Sequence, residues 1–269
     1  ADASKNMPLE PLGSGSDYSA YLQHLGLATL DYGYGGEGRS SGVYHSRYDT
    51  YEHHSNFVDP GFVYDALLAK TVGRAVIKAA DTDLPIQQAS DFADAIGQYV
   101  GEVKRLADTR RTAAETQKKN LADNVYALAA DPTKPHANPT PLLEVPKFDF
   151  APLDQAEAKL KASAKAYDDA LAANGSRLSG ADLARLQGLM QSIGQTLLLE
   201  KGLPFRDWYK NSIYAPGRFT GYGAKTLPGV REAIEEERWA DATQYIGLTA
   251  GTINAYSDRL DQATAVLKR

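Results

Sequence analysis

From Asp59 to its end this chain is written mainly in Ala, Leu, Lys, Glu and Gln, the residues that lose least on entering a helix. That texture constrains the fold more than any other feature. Phe62, Tyr64, Leu67, Leu68, Val72, Ala75, Val76 and Ala79 recur at helical spacing. They predict a helix that opens at Asp59-Pro60, with Asp as cap and proline at the first helical position, and closes before Leu84-Pro85. A second helix is predicted over residues 90–130, on Phe92, Ile96, Tyr99, Val103, Leu106, Leu121, Val125 and Leu128, with a solvated polar middle at 108–120. The four prolines within residues 131–141 then require an extended connector. A third helix spans 149–173 and ends at Asn174-Gly175, and a fourth opens at Ser179-Gly180-Ala181-Asp182. Helices resume over 228–237 and 239–268 after a loop, 202–228, that holds Trp208, Tyr209, Tyr214, Phe219 and Tyr222. The expectation is a mainly α chain built on a bundle of about four long helices, with no internal repeat and no sustained heptad register.

Residues 1–58 have another composition, rich in Gly, Ser, Tyr and His and poor in long periodic runs. Only one strand is suggested there, near residues 27–32. A lone strand forms no sheet, so its partners are expected from outside this segment.

Composition narrows the function classes. A net charge of −5 without a clustered basic stripe argues against a nucleic-acid partner. The absence of cysteine excludes disulfides, thiol catalysis and thiolate zinc sites, and leaves open zinc held by His and carboxylates. No run reaches the roughly 20 apolar residues needed to span a bilayer, so no membrane segment is expected. The start, Ala1-Asp2-Ala3, shows neither initiator methionine nor signal peptide.

The stretch richest in chemistry is Tyr44-His45-Ser46-Arg47-Tyr48-Asp49-Thr50-Tyr51-Glu52, which puts a histidine, two acids and three tyrosines into nine residues of a loop-like surround. Upstream runs Leu12-Gly13-Ser14-Gly15-Ser16-Asp17-Tyr18-Ser19-Ala20-Tyr21, and far downstream lie Leu203-Pro204-Phe205-Arg206-Asp207-Trp208-Tyr209 and Gly221-Tyr222-Gly223-Ala224-Lys225-Thr226-Leu227-Pro228-Gly229. Together these resemble the C-terminal part of the co-catalytic zinc peptidases that include glutamate carboxypeptidase II and, as a relative lacking activity, the transferrin receptor.

The resemblance covers residues 12 to about 267 and carries specific implications. Residues 1–58 would be the C-terminal remnant of an α/β zinc-peptidase domain, and 59–269 a transferrin receptor-like helical dimerisation domain. The start would then be a cut, with the remaining metal ligands earlier than residue 1, and this fragment alone inactive. Two zinc ions would serve the complete enzyme; His45 matches the last zinc ligand. Tyr44 matches a tyrosine whose hydroxyl reaches the substrate beside the metals, a packed loop aromatic being the alternative. Tyr222 matches a tyrosine that holds the substrate's terminal carboxylate. Gly221 stands where glutamate-specific enzymes place a lysine, and Ser16 where they place an asparagine. The arginines those enzymes carry near residues 29–33 are absent here, so recognition of an acidic side chain is in question. Lys225 is a substitute cation or a solvated lysine.

The implied partners are a peptide substrate and a second copy of the chain, with Phe205, Trp208, Tyr209 and Tyr214 either at that interface or packed within one chain. The alternative is a non-catalytic, transferrin receptor-like region that only dimerises or binds. Bacterial peptidases of this kind are often exported to the periplasm or beyond; the sequence itself does not give the compartment. The other residues read as structural: Asp49 and Glu52 as helix caps or outer partners of the metal site, His53-His54 as neighbours whose side chains diverge, His24 at a helix end, His136 solvated, Asn174-Gly175-Ser176 as a helix terminator rather than a glycosylation sequon, and Glu235-Glu236-Glu237 as a solvated helix end.

Overall fold

The computed structural model describes residues 10–34 and 42–269, and among them the chain is mainly helical with two short strands. In order they form α1 (Tyr51–His53), α2 (Val63–Ala80), α3 (Ala89–Ala122), α4 (Val125–Leu128), α5 (Ala151–Asn174), α6 (Gly180–Gln191), β1 (Tyr214–Pro216), β2 (Ala224–Thr226), α7 (Pro228–Glu235) and α8 (Trp239–Leu267). Two compact units result: Leu30–Ile86, and a larger one that joins the chain up to Thr29 to Gln87–Arg269.

In the larger unit α8 packs on α5, α6 and α7, and α5 also packs on α3. The inward stripes follow the sequence periodicity: Ile96, Val100, Val103 and Ala107 on α3, Leu153, Ala156, Leu160, Ala164 and Tyr167 on α5, and Ile246, Ala250, Ile253, Leu260 and Ala263 on α8 are all buried. Alanine at so many contact positions lets the helix backbones approach closely. Buried hydroxyls on α8 are satisfied within the helix: Ser257 donates to the Ile253 carbonyl and Thr264 to that of Leu260, each at 2.9 Å. Tyr99, Tyr167, Tyr214 and Tyr256 bring aromatic hydroxyls into this packing. Burial, and then the neighbouring Tyr99, pushes the Tyr214 hydroxyl up to about 12. Burial first, and then nearby Asp168, raises Tyr167 well above the usual tyrosine range.

Helix ends show where local sequence stops being sufficient. The first amides of α3 find their acceptor on another helix, since Asp168 of α5 accepts from the backbone N–H of Ala89 and of Ser90 at 2.9 Å. Asp149 caps α5 locally, accepting from Ala151 N–H at 2.9 Å. The predicted helix 90–130 is broken after Ala122, where Asn124 adopts φ 55° and a single turn, α4, follows. Gly175 has right-handed backbone angles (φ −53°), so α5 passes into a 3₁₀ turn instead of ending on a left-handed glycine. The strand expected near residues 27–32 is not formed, because that segment has no ladder partner among the described residues. The strands lie instead in the loop 202–228, where Tyr214 pairs with Thr226 and Pro216 with Ala224 in an antiparallel register.

In the smaller unit Thr50 caps α1 by accepting from His53 N–H at 3.2 Å. Asp59, 3% exposed, accepts from Val63 N–H at 3.0 Å and Asp65 N–H at 2.9 Å, so it caps α2 as expected although the helix starts four residues later. Burial alone would raise the Asp59 pKa. The N–H groups of Asp65, Tyr64 and Val63 and the charge of His54 outweigh it and hold the carboxyl below its ordinary range. No residue of α2 is buried, and Tyr64, Leu67, Val76 and Ile77 stand exposed.

Candidate functional site

The segment after residue 10 is braced within itself by the buried Gln23 and held on the loop 194–226 by backbone bonds, the buried Asn211 side chain and several glycines. Gln23 is fully buried. Its side-chain amide donates to the carbonyls of Leu12 at 3.0 Å and Gly13 at 3.1 Å, while its backbone carbonyl accepts from Lys210 N–H at 2.8 Å. Asn211, also buried, donates to the Leu22 carbonyl at 3.4 Å and accepts from Ile213 N–H at 2.9 Å. His24 bonds through Nδ1 to the Trp208 carbonyl at 2.8 Å and stacks on the Trp208 ring at 5.0 Å. It is structural, as its sequence position suggested.

Here residues distant in sequence meet. Ser14 N–H donates to the Tyr222 carbonyl at 3.2 Å. A Cβ on Gly13 would lie 1.9 Å from that carbonyl oxygen, and one on Gly15 (φ 101°) would lie 2.6 Å from the Tyr222 ring. Only glycine fits either place. The Tyr222 ring therefore rests on the backbone next to exposed Ser16, and is itself 54% exposed. Gly221, at φ 60°, faces open space. Of the residues that the resemblance assigns to substrate, Ser16, Gly221 and Tyr222 thus lie in one place on the larger unit.

Charge around this place is tightly paired. Lys225 binds both carboxylate oxygens of Glu235 at 2.9 Å. Arg218 binds Glu236 at 2.6 Å and lies over the Phe205 ring, 4.0 Å from its centre. Glu236 also takes Arg238 at 3.0 Å. Two expectations need correction: Glu235 and Glu236 are half-buried ion-pair partners, not a solvated helix end, and Lys225 is not a solvated lysine. Deeper in, Arg206 meets Glu232 at 2.8 Å with side chains 12% and 3% exposed. The contact lacks the alignment of a full hydrogen bond, so Coulomb attraction carries it. Glu232 also accepts from Arg218 N–H at 2.9 Å, which ties the loop to α7. Sequence reading missed Gln23, Asn211 and this pair, because nothing local distinguishes a buried Gln, Asn or Glu from a solvated one.

Tyr44 and His45 belong to the smaller unit. Both are exposed, and their rings stack at 3.9 Å. His45 has left-handed backbone angles (φ 62°), a conformation uncommon for a residue with a side chain, and its N–H points to Asp49 Oδ2 at 3.4 Å. An exposed imidazole stacked on Tyr44 suits one donor position of a His/carboxylate zinc set. One imidazole does not make a site, since catalytic zinc takes three protein ligands. His54, Asp59 and Asp65 also gather ligand-type atoms within 4.8 Å. Helix capping by Asp59 and the His54–Asp65 pair at 2.8 Å account for that cluster.

Residues 148–261 match the model of the transferrin receptor-like dimerisation domain. Over 245 residues the chain is 26% identical to the "Probable glutamate carboxypeptidase" of Arthroderma benhamiae, an alignment covering 90% of this chain and 29% of that protein. It is 26% identical to the "Probable glutamate carboxypeptidase LAMP1" of Arabidopsis thaliana, over 84% of this chain and 27% of the relative. It is 21% identical to the "Aminopeptidase NAALADL1" of Rattus norvegicus, over 94% and 31%. The chain thus spans less than a third of the length of these relatives. The resemblance read from the motifs holds: the chain is similar to the C-terminal region of transferrin receptor-like peptidases, and residues 148–261 match the model of the transferrin receptor-like dimerisation domain.

Proposed function

We propose that this chain is the C-terminal part of a dizinc exopeptidase that removes a terminal residue from peptides. Residues 1–58 complete its zinc-peptidase domain and 59–269 supply the contact with a second copy. The observation that carries this reading is the packing of Tyr222 on Gly13 and Gly15, the turn that leads into Ser16, which joins two segments the resemblance assigns to substrate from opposite ends of the chain. In the complete protein His45 would be one zinc ligand. The metal pair, when bound, supplies an activated water and polarises the scissile carbonyl. On the smaller unit Tyr44, stacked on His45, would present its hydroxyl beside the metal, and on the larger unit Tyr222 would offer its hydroxyl to a terminal carboxylate.

The test uses a polypeptide extended upstream to the length of its relatives, assayed on peptides with free and with amidated C-termini. His45→Ala should abolish turnover. Tyr222→Phe should weaken use of free-carboxylate peptides by about 1–2 kcal/mol, one hydrogen bond to a charged group, and leave amidated peptides nearly unaffected. Equal loss on both removes Tyr222 from the substrate site. No turnover of any peptide by zinc-loaded protein leaves the non-catalytic, dimerising reading in its place. Assembly is tested separately: sedimentation should give twice the 29.1 kDa of one chain, and a single-chain mass would refute the dimer.

A further inference from the structure

We infer that α2 is a docking helix for the polypeptide that precedes this chain in the complete protein, which covers it and leaves only one basic stripe in water. This rests on the reading of the chain as the C-terminal part of a longer peptidase, and adds a surface to that reading. Asp59 is the only buried residue among those described in Leu30–Ile86, and it is a carboxylate that caps a helix. Helices in proteins owe most of their stability to the apolar face they bury, and α2 buries no residue. Its sequence is nevertheless that of an interior helix. Lys70, Arg74 and Lys78 follow one another at a spacing of four, on one narrow stripe. Apart from them only Asp65 and Thr71 carry polar side chains, and both are engaged within the unit, Asp65 with His54 at 2.8 Å and Thr71 with the Tyr34 hydroxyl at 2.9 Å. Val76, about 200° around the helix from Arg74, is 60% exposed. Val63, Tyr64, Leu67 and Ile77 are exposed as well. A helix so nearly apolar all round belongs inside a protein, covered on more than one side.

The cover is the upstream polypeptide and not a second copy of this chain. The dimerisation-domain model matches residues 148–261, and α2 lies outside that match and in a separate compact unit. The chain spans less than a third of the length of its relatives, which leaves a polypeptide large enough to enclose a helix. The same unit carries His45, whose remaining zinc ligands that reading places upstream.

The experiment measures amide hydrogen exchange over residues 64–79 in this chain and in the polypeptide extended upstream to the length of its relatives. In this chain alone exchange should be fast and independent of concentration. In the extended protein it should slow by about a hundredfold or more, the difference between an uncovered and a packed helix. Val76→Glu in the extended protein should restore fast exchange to α2 while α5 and α8 stay protected, and Arg74→Glu should not. In this chain alone neither variant should change exchange or sedimenting mass. Fast exchange of α2 in the extended wild type would overturn the inference. Protection in this chain that grows with concentration would also overturn it, because a second copy is then the cover. Arg74→Glu acting as strongly as Val76→Glu would overturn the assignment of the basic stripe to water. Peptide turnover, read separately, tests the peptidase reading: protection without turnover keeps the docking and removes catalysis, and turnover without protection does the reverse.

Discussion

Removing the buried guanidinium by Arg206→Met tests what holds the loop 199–218 to α7. Glu232 is 3% exposed, and without Arg206 its carboxylate keeps only the N–H of Arg218, at 2.9 Å. Breaking a buried pair from one side costs about 3–5 kcal/mol, and the surviving N–H bond puts this case at about 3 kcal/mol. With a urea m-value of about 3 kcal/mol/M, the unfolding midpoint should fall by about 1 M at unchanged m. Trp208, on the loop itself, and Trp239, at the start of α8, report the transition by fluorescence. The double variant Arg206→Met/Glu232→Leu removes both charges and should recover to within about 1 kcal/mol of wild type. A single variant costing under about 1 kcal/mol, or a double variant as unstable as the sum of its singles, would refute the claim that an uncompensated buried charge is the cause.

Asp168→Ala should destabilise the chain by about 2 kcal/mol, since two α3 amides lose a charged acceptor; Asp168→Asn, which keeps one acceptor oxygen, should cost about half as much, and equal costs would count against capping. Raised tyrosine pKa values make stability fall at high pH. The unfolded Tyr214 ionises near 10 and the folded one near 12, so its contribution is whole below pH 10 and is lost as pH rises through that window. Urea midpoints measured from about pH 9 to about pH 11 should show this decline, and Tyr214→Phe should flatten it. A non-specific protease should cut first within residues 131–141, which are exposed and non-helical, and early cuts inside α6 would contradict the fold. This chain on its own should not retain two zinc equivalents after dialysis, and retention of both would show ligands other than His45.

Helix positions were legible in the sequence because helical periodicity is a local property. The predicted 228–237 and 239–268 became Pro228–Glu235 and Trp239–Leu267, and Asp59 caps α2 through bonds that reach six residues at most. The motifs around His45 and Tyr222 were legible too, as patterns of residue types. What the sequence could not contain was pairing across long separations. Asp168 caps α3 from 79 residues away, and Gln23 and Asn211 are buried only because two distant segments close over them. Glu235 and Glu236 read as a solvated acidic run until Lys225 and Arg218 are folded back onto them. The packing of Tyr222 on the turn before Ser16 depends on the missing Cβ atoms of Gly13 and Gly15, and a glycine-serine run looks the same whether it is a loose loop or a path pressed against a tyrosine. Local preference decides which residues form helices, and tertiary packing alone settles which specific polar and charged groups are buried and paired.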